Sequence, residues 1–473
     1  MDEIPIAPRS VEPFAQMIGE ERMEQFREAL ATARKRLGGA TVWHVNSTAT
    51  GGGVAEMLQS VLSYAAAADI DIRWLVIEGS EAFFEITKRI HHLLHGSRGD
   101  GGPLGREQRK LCEETLSGEE KALTRLVRPG DVVVLHDPQV IGLACCLARL
   151  GAVVIWSCHI GADSPNRETR RAWDFLVPYV ADTAAQSFTR QQYRWEPLTG
   201  SKVAVIPPCI DAFATKNRSL HDPDVTAILD AAGIIPIARG LRTPEFLRSD
   251  GTRAQVTHRA RVIEDEPVAD DAPIICQVSR WDPLKDHLGL MRAFGSHVRH
   301  DLGAQLVLAG PSLGSVDDDP EANETFGELV KAWEELPADQ RQRVHICPVP
   351  MDDVEENAAI INALQRRSDV IVQKSLAEGF GLTVAEAMWK GRPTLGSRVG
   401  GIQDQIEPGV TGLLVDPTAP RDFGSAVTSL LSDPTAAAKL GEAGRHRVIE
   451  NYLAPSYLTR QFALIHEVLD QAS

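Results

Sequence analysis

This 473-residue sequence lacks a long apolar run, a basic leader and an excess of positive charge, and each absence removes a class of function. No uninterrupted hydrophobic stretch reaches the roughly 20 residues that a spanning helix needs, so no membrane partner is expected. The opening MDEIPIAPRSVEPF has no basic segment followed by an apolar one, which leaves no expectation of export. Lys and Arg total 49 against 65 Asp and Glu, a net charge of −16. That balance excludes nucleic acid or anionic lipid as a broad electrostatic partner and requires any anion site to be local. The seven cysteines (Cys112, Cys145, Cys146, Cys158, Cys209, Cys276, Cys347) are odd in number and scattered, mostly within apolar runs such as 274-IICQV-278. They read as reduced core residues of a cytoplasmic protein, with no disulfide framework. There is neither a G-x-G-x-x-G fingerprint nor a Walker loop, and 91-HHLLH-95 lacks the carboxylate of H-E-x-x-H, so no dinucleotide, P-loop or metal site is expected.

What is present is an ordinary globular composition, 43% hydrophobic and 24% charged, at a length that favours two domains. Residues 18 to 37 have helical spacing with charges of both signs. A strand–loop–helix unit follows: 41-TVWHV-45, then 46-NSTATGG-52, then a helix over 53–68. Further β-rich runs at 73–77, 131–135, 152–156 and 203–206 alternate with helical patterns. Such alternation predicts a mostly parallel sheet covered by helices. A second series begins at 274–278 and continues at 305–310, 343–347, 369–373, 393–397 and 411–415. The fold class expected is therefore α/β, with two doubly wound Rossmann-like domains facing a central cleft and ligands outside the carboxyl ends of the strands. The boundaries expected are a first domain over 1–210, a linker with a surface insertion over 211–272, marked by Pro223, Pro236, Pro244 and Pro267, a second domain over 273–450, and a C-terminal helix over 451–473 packing back toward the first domain.

The most informative segment is 378-EGFGLTVAEAMWKGRP-393. Gly379 and Gly381 bare the backbone before a short helix beginning near Leu382, which ends with Gly391 as cap and Pro393 beyond. Amides of Gly381, Leu382 and Thr383 at that helix start suit a phosphate, being unpaired donors at the positive end of the dipole. Glu378 and Glu386 are good acceptors for vicinal hydroxyls, so the segment suits a sugar on either side of a diphosphate. Alone, the same pattern equally describes a helix start with two solvated glutamates. In 279-SRWDPLKD-286, Arg280 and Lys285 follow directly on an apolar strand and could neutralise a leaving diphosphate. The cluster Gly51, Gly52, Gly53 at the first strand-to-helix turn fits either tight packing or close approach of a ligand. His136 and His159 each end a strand, a place where a core histidine and a functional one are both reasonable.

Together, 279-SRWDPLKD-286, 377-AEGFGLTVAEAMWKGRP-393 and 399-VGGIQDQI-406 resemble the retaining GT-B glycosyltransferases of family 4, whose signature is two glutamates separated by seven residues. Within that family 51-GGGVAEML-58, 136-HDPQ-139, 159-HI-160 and 164-SPNR-167 are similar to the trehalose-forming branch. The resemblance implies that glucose passes from a nucleotide diphosphoglucose to free glucose, with no cofactor and no metal required, and with small-molecule sugars and a homodimer as the partners to consider. It implies a catalytic set of Arg280, Lys285, Glu378 and His159. Arg280 and Lys285 would hold the diphosphate with the Gly381, Leu382 and Thr383 amides; Glu378, framed by Gly379 and Phe380, would bind the transferred glucose, and Glu386 the ribose. Gly51, Gly52 and Gly53 would line the donor–acceptor junction, with His136, Asp137, His159 and Asn166 on the acceptor side. The sequence departs from the trehalose-forming pattern at Ser157 (arginine expected), Gly161 (aspartate), Ala377 (arginine) and Asp286 (glycine). A trehalose phosphorylase using orthophosphate, another family 4 transferase with a different acceptor, an epimerase and a non-catalytic sugar or nucleotide sensor are the rival readings.

Overall fold

Strands that are apolar along their whole length need cover on both faces, and here helices supply it. The structure is a computed structural model that describes residues 1–50, 52–198, 202–236, 242–315 and 320–472. Two units form: Met1–Asp211 with Glu450–Ser473, and Ala212–Ile449.

The first unit is built on a seven-stranded sheet of β1 (Asp2–Ile4), β2 (Val42–Asn46), β3 (Ile72–Val76), β4 (Val132–His136), β5 (Val153–Cys158), β6 (Ala185–Phe188) and β7 (Val203–Val205). Its order is β1-β3-β2-β4-β5-β6-β7, parallel except for β1 against β3. Every residue of β2 and β4 is buried, as expected for parallel strands sandwiched between helices. The helix Glu20–Leu37 buries Met23, Phe26, Leu30, Ala33 and Leu37, a stripe at spacings of three and four. The C-terminal helix Ala454–Ala472 packs on it and on the helix Gly53–Ala66, so the last segment of the chain completes the first unit.

The second unit carries a two-stranded hairpin, β8 (Glu245–Leu247) with β9 (Arg253–Gln255), and an all-parallel sheet of six strands. These are β10 (Ile274–Val278), β11 (Gln305–Pro311), β12 (Val344–Val349), β13 (Val370–Gln373), β14 (Thr394–Ser397) and β15 (Leu413–Val415), in the order β12-β11-β10-β13-β14-β15. The stretch 211–272, expected from sequence as a linker with a surface insertion, falls within this compact unit from Ala212 onward. Its helix Asp222–Ala231 lies on the helix Val354–Arg367, and Val225, Ile228, Leu229, Phe246, Val256 and Val268 join one buried cluster with Ile274 and Ile360. The prolines that suggested a linker punctuate a segment that still buries these apolar residues.

Strand order fixes where ligands can sit. In the first sheet the order reverses between β2 and β4, whose outer neighbours are β3 and β5; in the second it reverses between β10 and β13. At such switch points the loops leaving adjacent strands run to opposite faces and leave a crevice outside the carboxyl ends. Among the described residues no helix is long and apolar enough to cross a membrane.

Candidate active site

In the second unit the loops leaving β10 and β13, the two switch-point strands, are tied together by Gln277. Its amide donates to the Lys285 carbonyl at 2.8 Å and accepts from the Lys374 backbone N–H at 2.8 Å. Asp282 caps the short turn Pro283–Lys285, accepting from the Leu284 N–H at 2.8 Å. The turn thereby delivers Lys285 to Glu378: Nζ and Oε2 stand 2.6 Å apart, and Ser375 Oγ donates to the same oxygen at 3.2 Å. Asp286, with φ of 49°, caps the helix His287–His297 and pairs with Lys374. A left-handed position is one where glycine or aspartate serves, which accounts for Asp286 where the family pattern has glycine. Arg280 differs from Lys285: its side chain is 66% exposed and lies 3.7 Å from Asp282.

The helix Leu382–Trp389 starts where expected, with Gly381 as its N-cap at φ of 85°, a conformation that a side chain would strain. Gln405 is buried and donates to the Phe380 carbonyl at 2.6 Å, while the Gly401 N–H reaches the Gly379 carbonyl at 3.2 Å. These bonds hold the glycine loop so that the N–H groups of Leu382 and Thr383, which cannot bond within the helix, begin it. Glu386 is fully buried, and Lys216 Nζ stands 2.8 Å from its Oε1. That pair lacks hydrogen-bond alignment: among the described residues neither Glu386 oxygen has a hydrogen-bond partner. A buried carboxylate with both oxygens short of donors is an acceptor for a pair of hydroxyls.

In the first unit the expected acceptor residues cluster at the ends of β4 and β5. His136 closes β4, and its Nδ1 lies 3.2 Å from Nε2 of His159; on its other side Nε2 lies 2.8 Å from Nδ1 of His44 in β2. Asp137 adopts φ of 62°, accepts the His159 backbone N–H at 2.7 Å, and through its carbonyl accepts the Trp156 indole N–H at 3.0 Å. Burial pushes the His44 imidazole down to about 3, holds His136 well below the usual histidine range and lowers His159, while it raises the Asp137 carboxyl. Because His44 and His136 bind protons more weakly folded than unfolded, stability falls as pH drops below the unfolded value of about 6.5. For His44 the fall continues toward pH 3. Each can contribute up to about 1.4 kcal/mol per pH unit. Urea unfolding at pH 7.5 and 5.5 is expected to show a lower midpoint at 5.5; equal midpoints would contradict the neutral histidines.

Not every expected residue joins these clusters. Asn166 caps the helix Arg167–Val180: its Oδ1 accepts from the Glu168 and Thr169 N–H groups at 2.9 and 3.0 Å, and its Nδ2 donates to the Gly96 carbonyl at 2.8 Å. Both ends of the Asn166 side chain are thus engaged within the fold. Gly52 and Gly53 cap and open the helix Gly53–Ala66, and Gly51 lies outside the described residues. His91 and His95 touch edge to face with centroids 4.8 Å apart, and no group of metal-ligating residues occurs among the described residues. Gly161 departs from the family pattern for a steric reason: a Cβ there would stand 2.3 Å from Cγ of Tyr193. Ser157 shares a 2.7 Å hydrogen bond with Ser187. Sequence reading passed over Lys216, His44, Gln277 and Gln461. Gln277 and His44 could have been flagged, since a polar residue inside an otherwise apolar strand must find a partner; Lys216 carries no such signal.

The family described as "Trehalose synthase, N-terminal domain" matches residues 44–195, and "Glycosyl transferases group 1" matches residues 259–447. The trehalose synthase of Rubrobacter xylanophilus is 34% identical across 92% of both chains, and that of Pyrococcus horikoshii is 31% identical across 97% of both. A trehalose phosphorylase of Pleurotus sajor-caju is 25% identical over 79% of this chain and half of its own length. Among solved structures, the trehalose-phosphate synthase of Burkholderia xenovorans, with glucose 6-phosphate bound, superposes with a TM-score of 0.67 at 14% identity, covering 91% of this chain and all of the other. The Thermosynechococcus elongatus sucrose-phosphate synthase gives 0.61 at 18% identity, covering 92% of this chain and all of the other. These two likenesses show the GT-B fold.

Proposed function

This chain belongs to the trehalose synthase family, and we propose that it moves glucose from a nucleotide diphosphoglucose to free glucose with retention at the donor's anomeric carbon. It is a hexosyltransferase that makes trehalose. The observation that carries the finer reading is the 2.6 Å pair of Lys285 and Glu378 at the switch point of the second sheet, directly before a helix start. An anion, a cation and helix N–H groups in one place suit a sugar joined to a diphosphate better than either alone.

In this reading Glu378 accepts hydroxyls of the transferred glucose while Lys285, Arg280 and the N–H groups of Leu382 and Thr383 take the diphosphate. Glu386 takes the ribose. His136, Asp137 and His159 in the first unit form the acceptor side, with His159 meeting the sugar. Neither glutamate is assigned as a nucleophile, because both are assigned to hydroxyls. The bond from the anomeric carbon to the diphosphate breaks as the acceptor's anomeric oxygen bonds on the same face, and the acceptor proton passes to the departing diphosphate oxygen. The protein's part is positioning and stabilisation of the leaving charge.

A matrix of donors and acceptors tests it. Nucleotide diphosphoglucoses and glucose 1-phosphate are each offered with glucose, with glucose 6-phosphate and with no acceptor. Nucleoside diphosphate release is expected only when glucose is present. Transfer only to the phosphorylated sugar would overturn the acceptor. Synthesis from glucose 1-phosphate with release of orthophosphate would replace the reading by phosphorolytic chemistry.

A further inference from the structure

We propose that His44 and Gln461 are positioning residues that fix His159 in the tautomer protonated on Nδ1, so that this N–H is held ready to donate to a hydroxyl of the acceptor sugar. The proposal deepens the acceptor-side reading of His159 and rests on it.

His44, His136 and His159 come from β2, β4 and the residue after β5, three neighbouring strands. Their ring planes are nearly parallel, at 21° and 11°, with centroids 5.1 and 5.5 Å apart. Two nitrogen-to-nitrogen contacts join them, 2.8 Å from His44 Nδ1 to His136 Nε2 and 3.2 Å from His136 Nδ1 to His159 Nε2. A neutral imidazole has one N–H and one lone pair, so each contact holds one proton and the whole chain must point one way. Either every Nδ1 is protonated or every Nε2 is.

Gln461, on the C-terminal helix of the same unit, chooses the direction. Its Nε2 lies 3.5 Å from His44 Nε2, and an amide nitrogen only donates. His44 Nε2 is therefore the acceptor and its proton sits on Nδ1. The same step repeats at His136 and leaves the His159 proton on Nδ1. That atom is buried and has no hydrogen-bond partner among the described residues. Asp137 faces His159 as well, but its Oδ1 is engaged by the His159 backbone N–H at 2.7 Å. The chain thus ends on a donor whose acceptor the fold does not supply, and a sugar hydroxyl is the group the proposed reaction brings there. Burial disfavours charge on all three rings, which keeps the count at one proton each.

Long-range proton–nitrogen correlation spectra of the ¹⁵N-histidine-labelled full chain read the tautomer directly, with the His159 signals identified by their loss in His159→Gln. In the unaltered protein His159 is expected to be protonated on Nδ1 and bare on Nε2. In His44→Phe the His159 signals should move toward a mixture of tautomers, with the KM for glucose raised about threefold to tenfold and the KM for the donor unchanged. His44→Asn, whose amide nitrogen can stand in for Nδ1, should restore both. Protonation on Nε2 in the unaltered protein, or an unchanged tautomer in a folded His44→Phe, would overturn the proposal. If the tautomer is as stated but His159→Gln leaves the glucose KM and turnover untouched, the acceptor-side assignment fails and takes the proposal with it, while the proton order stands.

Discussion

Arg280→Ala should lower turnover by about 10²-fold or more, the scale on which a single donor to developing charge acts, while leaving the melting temperature unchanged. The structural reason for the intact fold is that the Arg280 side chain is 66% exposed and its nearest charge, on Asp282, is 3.7 Å away; exposed pairs of that kind contribute little. Lys285→Ala should lower turnover at least as far and also lower the melting temperature, because Glu378 is only 11% exposed and would lose its 2.6 Å partner. Adding Glu378→Gln should then recover the melting temperature and leave turnover low. Steady-state rates with thermal denaturation on the three variants separate the two effects. Near-normal rates in a folded Arg280→Ala or Lys285→Ala protein would remove the diphosphate assignment.

Glu386→Gln is expected to cut kcat/KM for a nucleotide donor by about tenfold to a hundredfold, the loss associated with hydrogen bonds to a charged acceptor. With a glucosyl donor that has no ribose the loss should be much smaller, since Glu386 is assigned to ribose alone. The substitution also removes the carboxylate that stands 2.8 Å from Lys216, so a lower melting temperature should accompany it whichever donor is used. Equal kinetic losses with both donors would place Glu386 elsewhere. Lys216 gives a second handle: Lys216→Met leaves Glu386 as an unpaired buried carboxylate and should destabilise the fold more than Glu386→Gln does.

The parts of the molecule that obey a single local rule were legible in the sequence. Runs such as 274-IICQV-278 are strands because nothing in them is polar enough to face water except Gln277, and the structure puts β10 at Ile274–Val278. The helix expected near Leu382 begins at Leu382, because glycine at 381 followed by good helix formers is a start signal. The short strands β1, β6, β8 and β9 were missed; three or four residues of mixed character, such as 185-AQSF-188, show no period and become strands only through their neighbours. In 211–272 the prolines gave the expectation of a linker, whereas Val225, Ile228 and Leu229 are buried in a cluster that depends on the distant helix Val354–Arg367.

The site divides in the same way. Lys285 and Glu378 could be named from their motifs, but their pairing across 93 positions is a product of two loops that Gln277 stitches together. The histidine chain joins residues 44, 136, 159 and 461, and nothing local in the sequence tells that four such distant positions share one row. Asn166 shows the converse: a residue inside a recognisable motif also caps the helix it precedes, a local role that Asn before a helix could have signalled.

Proton NMR of the product formed from a nucleotide diphosphoglucose and glucose decides both the linkage and the stereochemistry. A non-reducing disaccharide with both anomeric centres α, formed in step with nucleoside diphosphate, is the predicted result. A β-anomeric signal at the transferred glucose would contradict retention, and a reducing disaccharide would contradict the coupling of two anomeric oxygens that defines trehalose.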